Sequence, residues 1–385
     1  MPLHYLSSRE KVRSALRREN HGPIPIDFGG RVSSVSVDVY RELRKKLNLA
    51  VDDRPVYDHH YQRLGIAAVA DDLLERFHVD TRYVHFLPPK SLDTAPATKQ
   101  DGSYYYRDEW GVGLRRSPNT LYYDFDFAPL SQASVEDLAA WRGPDFDGTR
   151  DGEWEKAIAG YKTGGFAIAT VFKGIFEQSW PLRGFEKLLM DMALSPDFVC
   201  RLWDKVLNAQ KKIYGHFFDV VGPSLDIVLI TEDLCGQNNP LFSPAFFRKE
   251  LKPRLGELVA FIQSKCPDAY VGIHSDGAVF SFIQDFIDIG CTILNPLQTT
   301  ADGMDAQTVA AAFGKKISFW AGIDTQHLLP FESAEVVEKE VETTIRLFSA
   351  DNGYLFAPAH NIASGTGVDN VMAMFRAIEK VNGVF

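Results

Sequence analysis

The strongest constraint on the fold is an alternation of short apolar runs with segments of helical periodicity. Runs with the length and composition of buried strands lie at residues 23–28, 79–84, 166–172, 226–231, 270–274, 291–295, 317–322 and 354–358. Segments with helical periodicity lie at residues 37–47, 66–77, 185–218, 244–265, 278–289, 305–313, 334–348 and 369–381. Strands that alternate with helices predict a parallel sheet, and a count of eight favours a closed (β/α)₈ TIM barrel over an open doubly wound sheet.

Chain length fits one large barrel. At roughly 150 residues per domain, 385 residues give two or three domains, but α/β barrels of this size form one. We predict a single barrel domain over residues 1–385, with residues 88–165 as an insertion. Within it, residues 102–116 have the pattern of a β-hairpin. Its tyrosines and Trp110 either cover the barrel mouth or pack on helices for stability.

Composition excludes several classes of function. With 41 Lys+Arg against 51 Asp+Glu, the formal net charge is −10, which argues against nucleic acid as a partner. The 4 cysteines contain no Cys-x-x-Cys pair, so neither a disulfide framework nor a zinc ribbon is expected. No apolar run is long enough to span a bilayer, and residues 1–20 lack the apolar core of a signal peptide. We therefore predict a cytoplasmic protein with no membrane partner.

Polar residues end most of the apolar runs. In a barrel of this type the active site lies at the carboxyl ends of the strands. Glu232 and Asp233 also fit a simpler role as acids at a helix N-terminus, Asn295 fits a turn, and Asp324 fits an N-cap. Together, however, the polar residues predict a functional site at the barrel mouth; they are Asp27, Arg82, Lys173, Glu232, Asp233, His274, Asp276, Asn295, Gln298, Asp324, Gln326, His327, His360 and Asn361.

Two histidines indicate that this site binds a metal. His274 ends one predicted strand and His360 follows the last one. With Glu232 from a third strand they form three ligands that leave a coordination position open, which is typical of catalytic zinc. If the barrel is correct, the sequence predicts a zinc site held by Glu232, His274 and His360.

Several motifs, in a fixed order, carry a resemblance to a known family. Arg-Glu-Lys-Val-Arg-Ser-Ala-Leu at 9–16 precedes Pro-Ile-Pro-Ile-Asp at 23–27, and Asp-Glu-Trp-Gly-Val follows at 108–112. The later motifs are Glu-Asp-Leu at 232–234, Gln-Asn-Asn-Pro-Leu-Phe-Ser-Pro at 237–244, His-Ser-Asp-Gly at 274–277, Leu-Asn-Pro-Leu-Gln at 294–298, Gly-Ile-Asp-Thr-Gln at 322–326 and Pro-Ala-His-Asn-Ile at 358–362. Over nearly its whole length the chain resembles the uroporphyrinogen decarboxylase superfamily, and within it the branch related to corrinoid-dependent methyltransferases. The resemblance implies a uroporphyrinogen decarboxylase/methionine synthase-like barrel.

The resemblance departs from true uroporphyrinogen decarboxylases at the first strand. Those enzymes carry a Met-Arg-Gln-Ala-Gly-Arg segment that binds the carboxylates of the substrate, whereas residues 28–34 here read Phe-Gly-Gly-Arg-Val-Ser-Ser. Arg31 is the only cation that remains there, with Arg82 and Lys173 as further candidates. A porphyrinogen with many carboxylates needs several cations to offset their desolvation, so this substrate is disfavoured.

The chain also departs from the corrinoid methyltransferases that it resembles. They hold zinc with a His-x-Cys motif and a later cysteine, whereas this sequence has His274-Ser275-Asp276 and then His360. Carboxylate and imidazole in place of thiolates make the metal more Lewis-acidic and suit an ether oxygen. The resemblance implies Zn²⁺ held by Glu232, His274 and His360, with Asp276 as fourth ligand or orienting base. The substrate would be a methoxylated small molecule, such as a methoxylated aromatic.

The methyl acceptor implied is a cobalamin or other corrinoid on a separate partner protein, because the chain lacks an Asp-x-His-x-x-Gly segment. We expect the substrate to contact Asp27, Arg31, Arg82, Trp180, Asn295, Gln298 and Asp324. An aromatic ring would pack among Phe28, Trp180, Phe242 and Trp320.

Two other functions remain open. One is a metal-free carboxy-lyase acting on a porphyrinogen or a smaller carboxylated substrate, with Asp27 or Asp276 stabilising a protonated intermediate. The other is a barrel that only binds a ligand or partner. The polar mouth argues against mere binding, because dry and unpaired polar groups would destabilise the fold without any role.

Overall fold

A computed structural model describes residues 6–19, 22–51, 59–146, 148–320, 322–350 and 353–383. Its strands, in chain order, are β1 (Thr81–Tyr83), β2 (Ala97–Thr98), β3 (Tyr104–Arg107), β4 (Gly113–Arg116), β5 (Asp124–Phe127), β6 (Ala167–Lys173), β7 (Ile227–Thr231), β8 (Tyr270–His274), β9 (Ile293–Asn295), β10 (Ser318–Trp320) and β11 (Tyr354–Leu355). A parallel sheet has the order β1-β6-β7-β8-β9-β10-β11, and a second sheet has the order β2-β3-β4-β5.

The segment around Ile26 lies between the two ends of the parallel sheet. The N–H of Asp27 donates to the carbonyl of Phe356 at 2.8 Å, and the N–H of Asp80 donates to the carbonyl of Ile26 at 2.8 Å. This segment is an isolated bridge and not a full strand, because prolines at 23 and 25 lack the N–H that a ladder requires. It closes the sheet, and the predicted (β/α)₈ barrel is confirmed.

Side chains of alternate strand residues fill the barrel. The apolar interior includes Ala167, Ala169, Val171, Ile227, Leu229, Ile293, Trp320 and Leu355, with Val12 and Leu16 packed beneath them. One step further along the strands, Lys173 pairs in register with Thr231, Thr231 with His274, and His274 with Asn295. Because side chains alternate with a period of two, these four residues also point inward and form a polar layer at the mouth.

The helices surround this barrel. They are α1 (Ser8–Leu16), α2 (Val37–Lys46), α3 (His59–Leu64), α4 (Asp71–Arg76), α5 (Val135–Ala140), α6 (Asp151–Thr163), α7 (Ile175–Arg183), α8 (Phe185–Leu194), α9 (Pro196–Val221), α10 (Pro244–Phe246), α11 (Lys252–Lys265), α12 (Phe280–Asp288), α13 (Ala306–Phe313), α14 (Leu328–Phe331), α15 (Ala334–Ser349) and α16 (Val368–Val381). None of those in the described ranges is long and apolar enough to cross a bilayer.

Three predicted helices differ from the structure. The helix predicted over 244–265 runs from α10 through a π-helical turn at Phe247–Leu251 into α11. The helix predicted over 185–218 is two helices, because Pro196 begins α9 and cannot continue α8. The helix predicted over 66–77 is reduced to α4, because Ile66 is extended and bridges Ser36. Helix α7, which begins just after β6, was not predicted.

The insertion contains the predicted hairpin. Strands β3 and β4 pair antiparallel, with Tyr104 opposite Arg116 and Arg107 opposite Gly113. Strands β2 and β5 extend the hairpin to a sheet of four. The ring of Phe125 on β5 lies 4.5 Å from that of Trp180 on α7, so the insertion packs against the barrel mouth.

Candidate metal centre

Three predicted site residues meet at the barrel mouth. His274 ends β8, Asp276 follows it by two residues, and His360 comes after β11. Their ligand atoms all lie within 4.8 Å of one another, the single group of this kind in the described ranges. The Nε2 of His274 is 3.9 Å from Asp276 Oδ2. Two imidazoles and one carboxylate are a ligand set of catalytic zinc sites.

Asn295 fixes the tautomer of His274. Its Nδ2 donates to the carbonyl of Trp320 at 3.1 Å, which assigns the amide orientation and turns Oδ1 toward His274. Because Oδ1 can only accept, the Nδ1 of His274 carries the proton and donates across 2.5 Å. The lone pair on Nε2 therefore faces Asp276 and His360, as in metal sites where an outer partner orients the ligand.

The two imidazoles have opposite pKa shifts. Burial disfavours the charged form of His274, but the carboxylates of Asp276 and Asp233 and the Asn295 hydrogen bond outweigh it and raise the pKa. Burial dominates at His360 and lowers its pKa, helped by the positive charge of His274. His360 is thus neutral at pH 7 and available as a ligand.

Neighbouring loops hold the turn that carries Asp276. The N–H of Asp276 donates to Asp233 Oδ1 at 2.9 Å, and the N–H of Gly277 donates to Gln298 Oε1 at 2.8 Å. Gly277 has a φ of 85°, and a Cβ there would lie 2.3 Å from the carbonyl oxygen of Gly236. Burial, together with the charges of Glu177 and Asp276, raises the pKa of Asp233 to about 7.

Glu232 lies behind this cluster with both carboxylate oxygens engaged. They accept N–H groups from Ile175 at 3.1 Å, Phe176 at 2.9 Å and Glu177 at 2.9 Å. Burial raises the pKa of Glu232 to about 8 although these bonds oppose it. This is the helix-terminal role that the sequence left open, at the start of α7. The geometry therefore gathers Asp276, and not Glu232, with the two histidines.

Two substitutions distinguish the role of Glu232 from that of Asp276. Glu232→Gln places an NH₂ group against a backbone N–H, so we expect the free energy of unfolding in urea to fall by about 1–2 kcal/mol with zinc affinity unchanged. Asp276→Asn should lower zinc affinity by at least about tenfold with little loss of stability. Zinc loss in Glu232→Gln, with Asp276→Asn still metal-bound, would return Glu232 to the ligand set.

Asp27 is buried inside the barrel. It accepts hydrogen bonds from Thr81 Oγ1 at 2.5 Å, Tyr83 Oη at 2.7 Å and Trp320 Nε1 at 3.0 Å. Burial raises its pKa against these bonds. Trp320 also accepts from Asn295, so Asp27 supports the tryptophan beside the residue that orients His274.

Two predicted substrate contacts have other partners. The Nε of Arg82 donates to Asp71 at 3.0 Å and its guanidinium lies 3.8 Å from the ring centroid of Phe166. Arg82 alternates with the inward-facing Thr81 and Tyr83, so it lies outside the barrel interior. The carboxylate of Asp324 accepts the N–H groups of residues 326, 327 and 328 and caps the turn before α14, the alternative that the sequence left open.

A cavity of about 280 Å³ adjoins the cluster. Asp276 and His360 line it together with Gln298, Gln326 and Asn361. Gln298 is also bonded to Gln237 at 2.9 Å. Such a volume suits a small molecule.

A smaller cavity of about 90 Å³ lies under the insertion, and Arg31 and Lys173 line it. Arg31 donates to the carbonyls of Val171 and Phe86 at 3.0 and 3.1 Å. Sequence reasoning missed Arg63, which lines the same cavity from α3. No strand-end signal marks this position.

The aromatic residues predicted to surround a substrate ring differ in exposure. Trp180 is half-buried beside Phe125, whereas Phe28 and Trp320 are fully buried in the core.

Comparison with known proteins decides the family. The model of the uroporphyrinogen decarboxylase (URO-D) family matches residues 166–381, more than half of the chain. The chain belongs to the URO-D family. A solved methyltransferase from Methanosarcina mazei is similar to this URO-D family member with a TM-score of 0.65 and 15% identity, covering 98% of this chain and 99% of that one. At this identity the likeness shows a shared fold.

A complex of a GH113 beta-1,4-mannanase aligns with a TM-score of 0.44 and 12% identity, over 94% of this chain and 100% of that one. No curated protein matches the URO-D family chain.

Proposed function

We propose that this URO-D family member is a zinc-dependent methyltransferase that demethylates a methoxylated small molecule and passes the methyl group to a corrinoid on a separate protein. The cluster of His274, Asp276 and His360 carries the proposal. The family, and the fold shared with the methyltransferase from Methanosarcina mazei, support the reaction type.

The donor set fits zinc. His274 and His360 would supply imidazole nitrogens and Asp276 an anionic oxygen, and the bond from Nδ1 of His274 to Asn295 leaves Nε2 as its ligating atom. Three protein ligands leave a position open for substrate. Zinc bound there would act as a Lewis acid toward an ether oxygen and stabilise the negative charge that develops on it.

The chain itself supplies orientation. In the overall reaction the bond between methyl carbon and oxygen breaks, its electron pair stays on the oxygen, and the methyl group goes to the nucleophilic acceptor. The oxygen then takes up a proton from solvent water. Asp233 accepts the N–H of Asp276 at 2.9 Å and so holds the turn that carries this ligand.

The test mixes zinc-loaded protein with reduced free cobalamin and a panel of methoxylated aromatics. We expect the absorption spectrum of methyl-cobalt and the demethylated product, with about one zinc per chain. His216→Gln is the control for variants of His274 and His360 and should retain activity, because His216 is half-exposed and pairs with Asp151. A metal-free protein that releases CO₂ from a carboxylated substrate would overturn the proposal in favour of a carboxy-lyase.

A further inference from the structure

The cavity under the insertion has an unusual lining. Lys173 and Thr231 contribute from the ends of β6 and β7, Arg63 from α3, and Asp108 and Glu109 from the turn between β3 and β4. Charged groups in an enclosed space are unfavourable unless they have partners. The lining therefore raises the question of what these charges bind.

Two cations in this lining form no ion pair, and one buried donor beside them has no acceptor. Across the described ranges, neither Lys173 nor Arg63 forms an ion pair, and both cations lie over the ring of Phe125, at 5.8 and 5.3 Å from its centroid. Gln178 is 2% exposed, and its Nε2 has no hydrogen-bond partner. A buried donor without an acceptor is destabilising by about 1–3 kcal/mol. The arrangement is typical of a site whose acceptor is a ligand.

Nearby acids limit the charge of that ligand. Asp108 is tied to the N–H groups of Trp110 and Val112 at 3.0 and 2.9 Å. Burial and the charge of Glu109 raise the pKa of Asp108 to about 7, so it is partly neutral. Glu109 and the nearby Glu177 offset much of the positive charge, which suits one anionic group and not several.

The cavity and the metal centre belong to the same rim. Lys173, Thr231 and His274 are in register on three adjacent parallel strands. Two strand spacings place the Cα atoms of Lys173 and His274 roughly 10 Å apart. The positive charge of Arg63 also lowers the pKa of His360, as expected if the two lie within electrostatic reach. A molecule with one ring or a short chain can span this distance.

We propose that Lys173, Arg63 and Gln178 bind the carboxylate of the substrate, so that the substrate is a small methoxylated monocarboxylic acid. Its ether oxygen then faces His274, Asp276 and His360. This assignment rests on the proposed function for the identity of the reacting group, but the carboxylate site itself is testable by binding alone.

The experiment measures binding of 4-methoxybenzoate and its neutral analogue 4-methoxybenzamide by calorimetric titration, without corrinoid. We expect the acid to bind at least about tenfold more tightly than the amide, the excess coming from charge-assisted hydrogen bonds. Lys173→Met should remove most of this preference while leaving affinity for the amide unchanged. Lys173→Arg should retain it.

Stability and specificity controls accompany these variants. Lys173→Met should fold, as checked by thermal unfolding, because it replaces a cation without an ion pair by an apolar side chain. Lys211→Met removes a lysine that pairs with Glu257 on the surface and should behave as wild type. Equal affinity for acid and amide, or an unchanged preference in Lys173→Met, would overturn the carboxylate site.

The outcomes distinguish a failure of the carboxylate site from a failure of the proposed function. If the acid is preferred but no compound of the panel is demethylated, the proposed function fails and the carboxylate site stands. If neutral and acidic methoxylated aromatics are demethylated equally well, and equally by Lys173→Met, the carboxylate site fails and the proposed function stands.

Discussion

His360→Ala is expected to lower zinc affinity by at least about 1,000-fold and to abolish demethylation. Among the described residues the proposed zinc has three protein ligands, and removing one leaves two, fewer than catalytic zinc sites use. Burial keeps His360 neutral by lowering its pKa, so the proposed zinc would bind there without first displacing a proton from this residue. Titration of zinc against a chromophoric chelator measures the loss.

Controls make this result specific. His274→Ala should have the same effect, and Asn295→Ala should lower zinc affinity by about 10–100-fold, because it removes the group that orients His274 without removing a ligand. His216→Ala should leave zinc affinity unchanged, since that histidine pairs with Asp151. If His360→Ala bound zinc like wild type, the metal centre proposed here would be excluded.

The positions of His274 and Asn295 follow from local pattern alone. Strand periodicity identifies the end of each strand, and parallel register places those ends at one rim, so their meeting is predictable once eight strands are counted. Asp276 follows β8 by only two residues, which keeps it at the same rim. The family motifs around these residues agree with the family match over 166–381.

The role of Glu232 was harder to predict because it depends on where another element begins. Helix α7 contains Pro181 and has Gly174 at its N-cap without a side-chain cap, so nothing local marks its start. The three N–H groups there need an acceptor, and Glu232 reaches them from β7. A Cβ at position 174 would lie 2.5 Å from Glu232 Oε2, which accounts for the glycine.

The insertion, too, was only partly predictable from the sequence. Its hairpin follows from turn residues and alternation, but the cavity that it covers depends on packing between distant segments. Trp110 packs against Trp141, with ring centroids 6.1 Å apart, and also lines the cavity, so the two roles left open for this residue coexist. Arg63 joins that cavity from a helix with no sequence signal for a site.

Acids at the opposite end of the barrel differ in function from those at the mouth. Asp226, directly before β7, is fully buried and accepts from Arg9 Nε at 2.9 Å, Arg13 Nη1 at 2.9 Å and the N–H of Ile168 at 3.1 Å. Both arginines lie on α1, whose apolar side chains close the base of the barrel. This carboxylate therefore joins α1 to the sheet.

Asp226→Ala is expected to lower the free energy of unfolding by about 1–3 kcal/mol, the range for leaving a buried N–H without its acceptor. The arginines retain access to solvent, with side chains 46% and 23% exposed, so much of the loss comes from the buried N–H of Ile168 and from the freed helix. Urea denaturation measures the change. Asp219→Ala, which breaks the exposed pair with Lys265, should change stability by less than about 1 kcal/mol.

Zinc affinity should be unchanged in folded Asp226→Ala, because Asp226 lies at the end of the barrel away from the metal centre. A loss equal to that of Asp219→Ala would show that α1 is held by its apolar contacts alone.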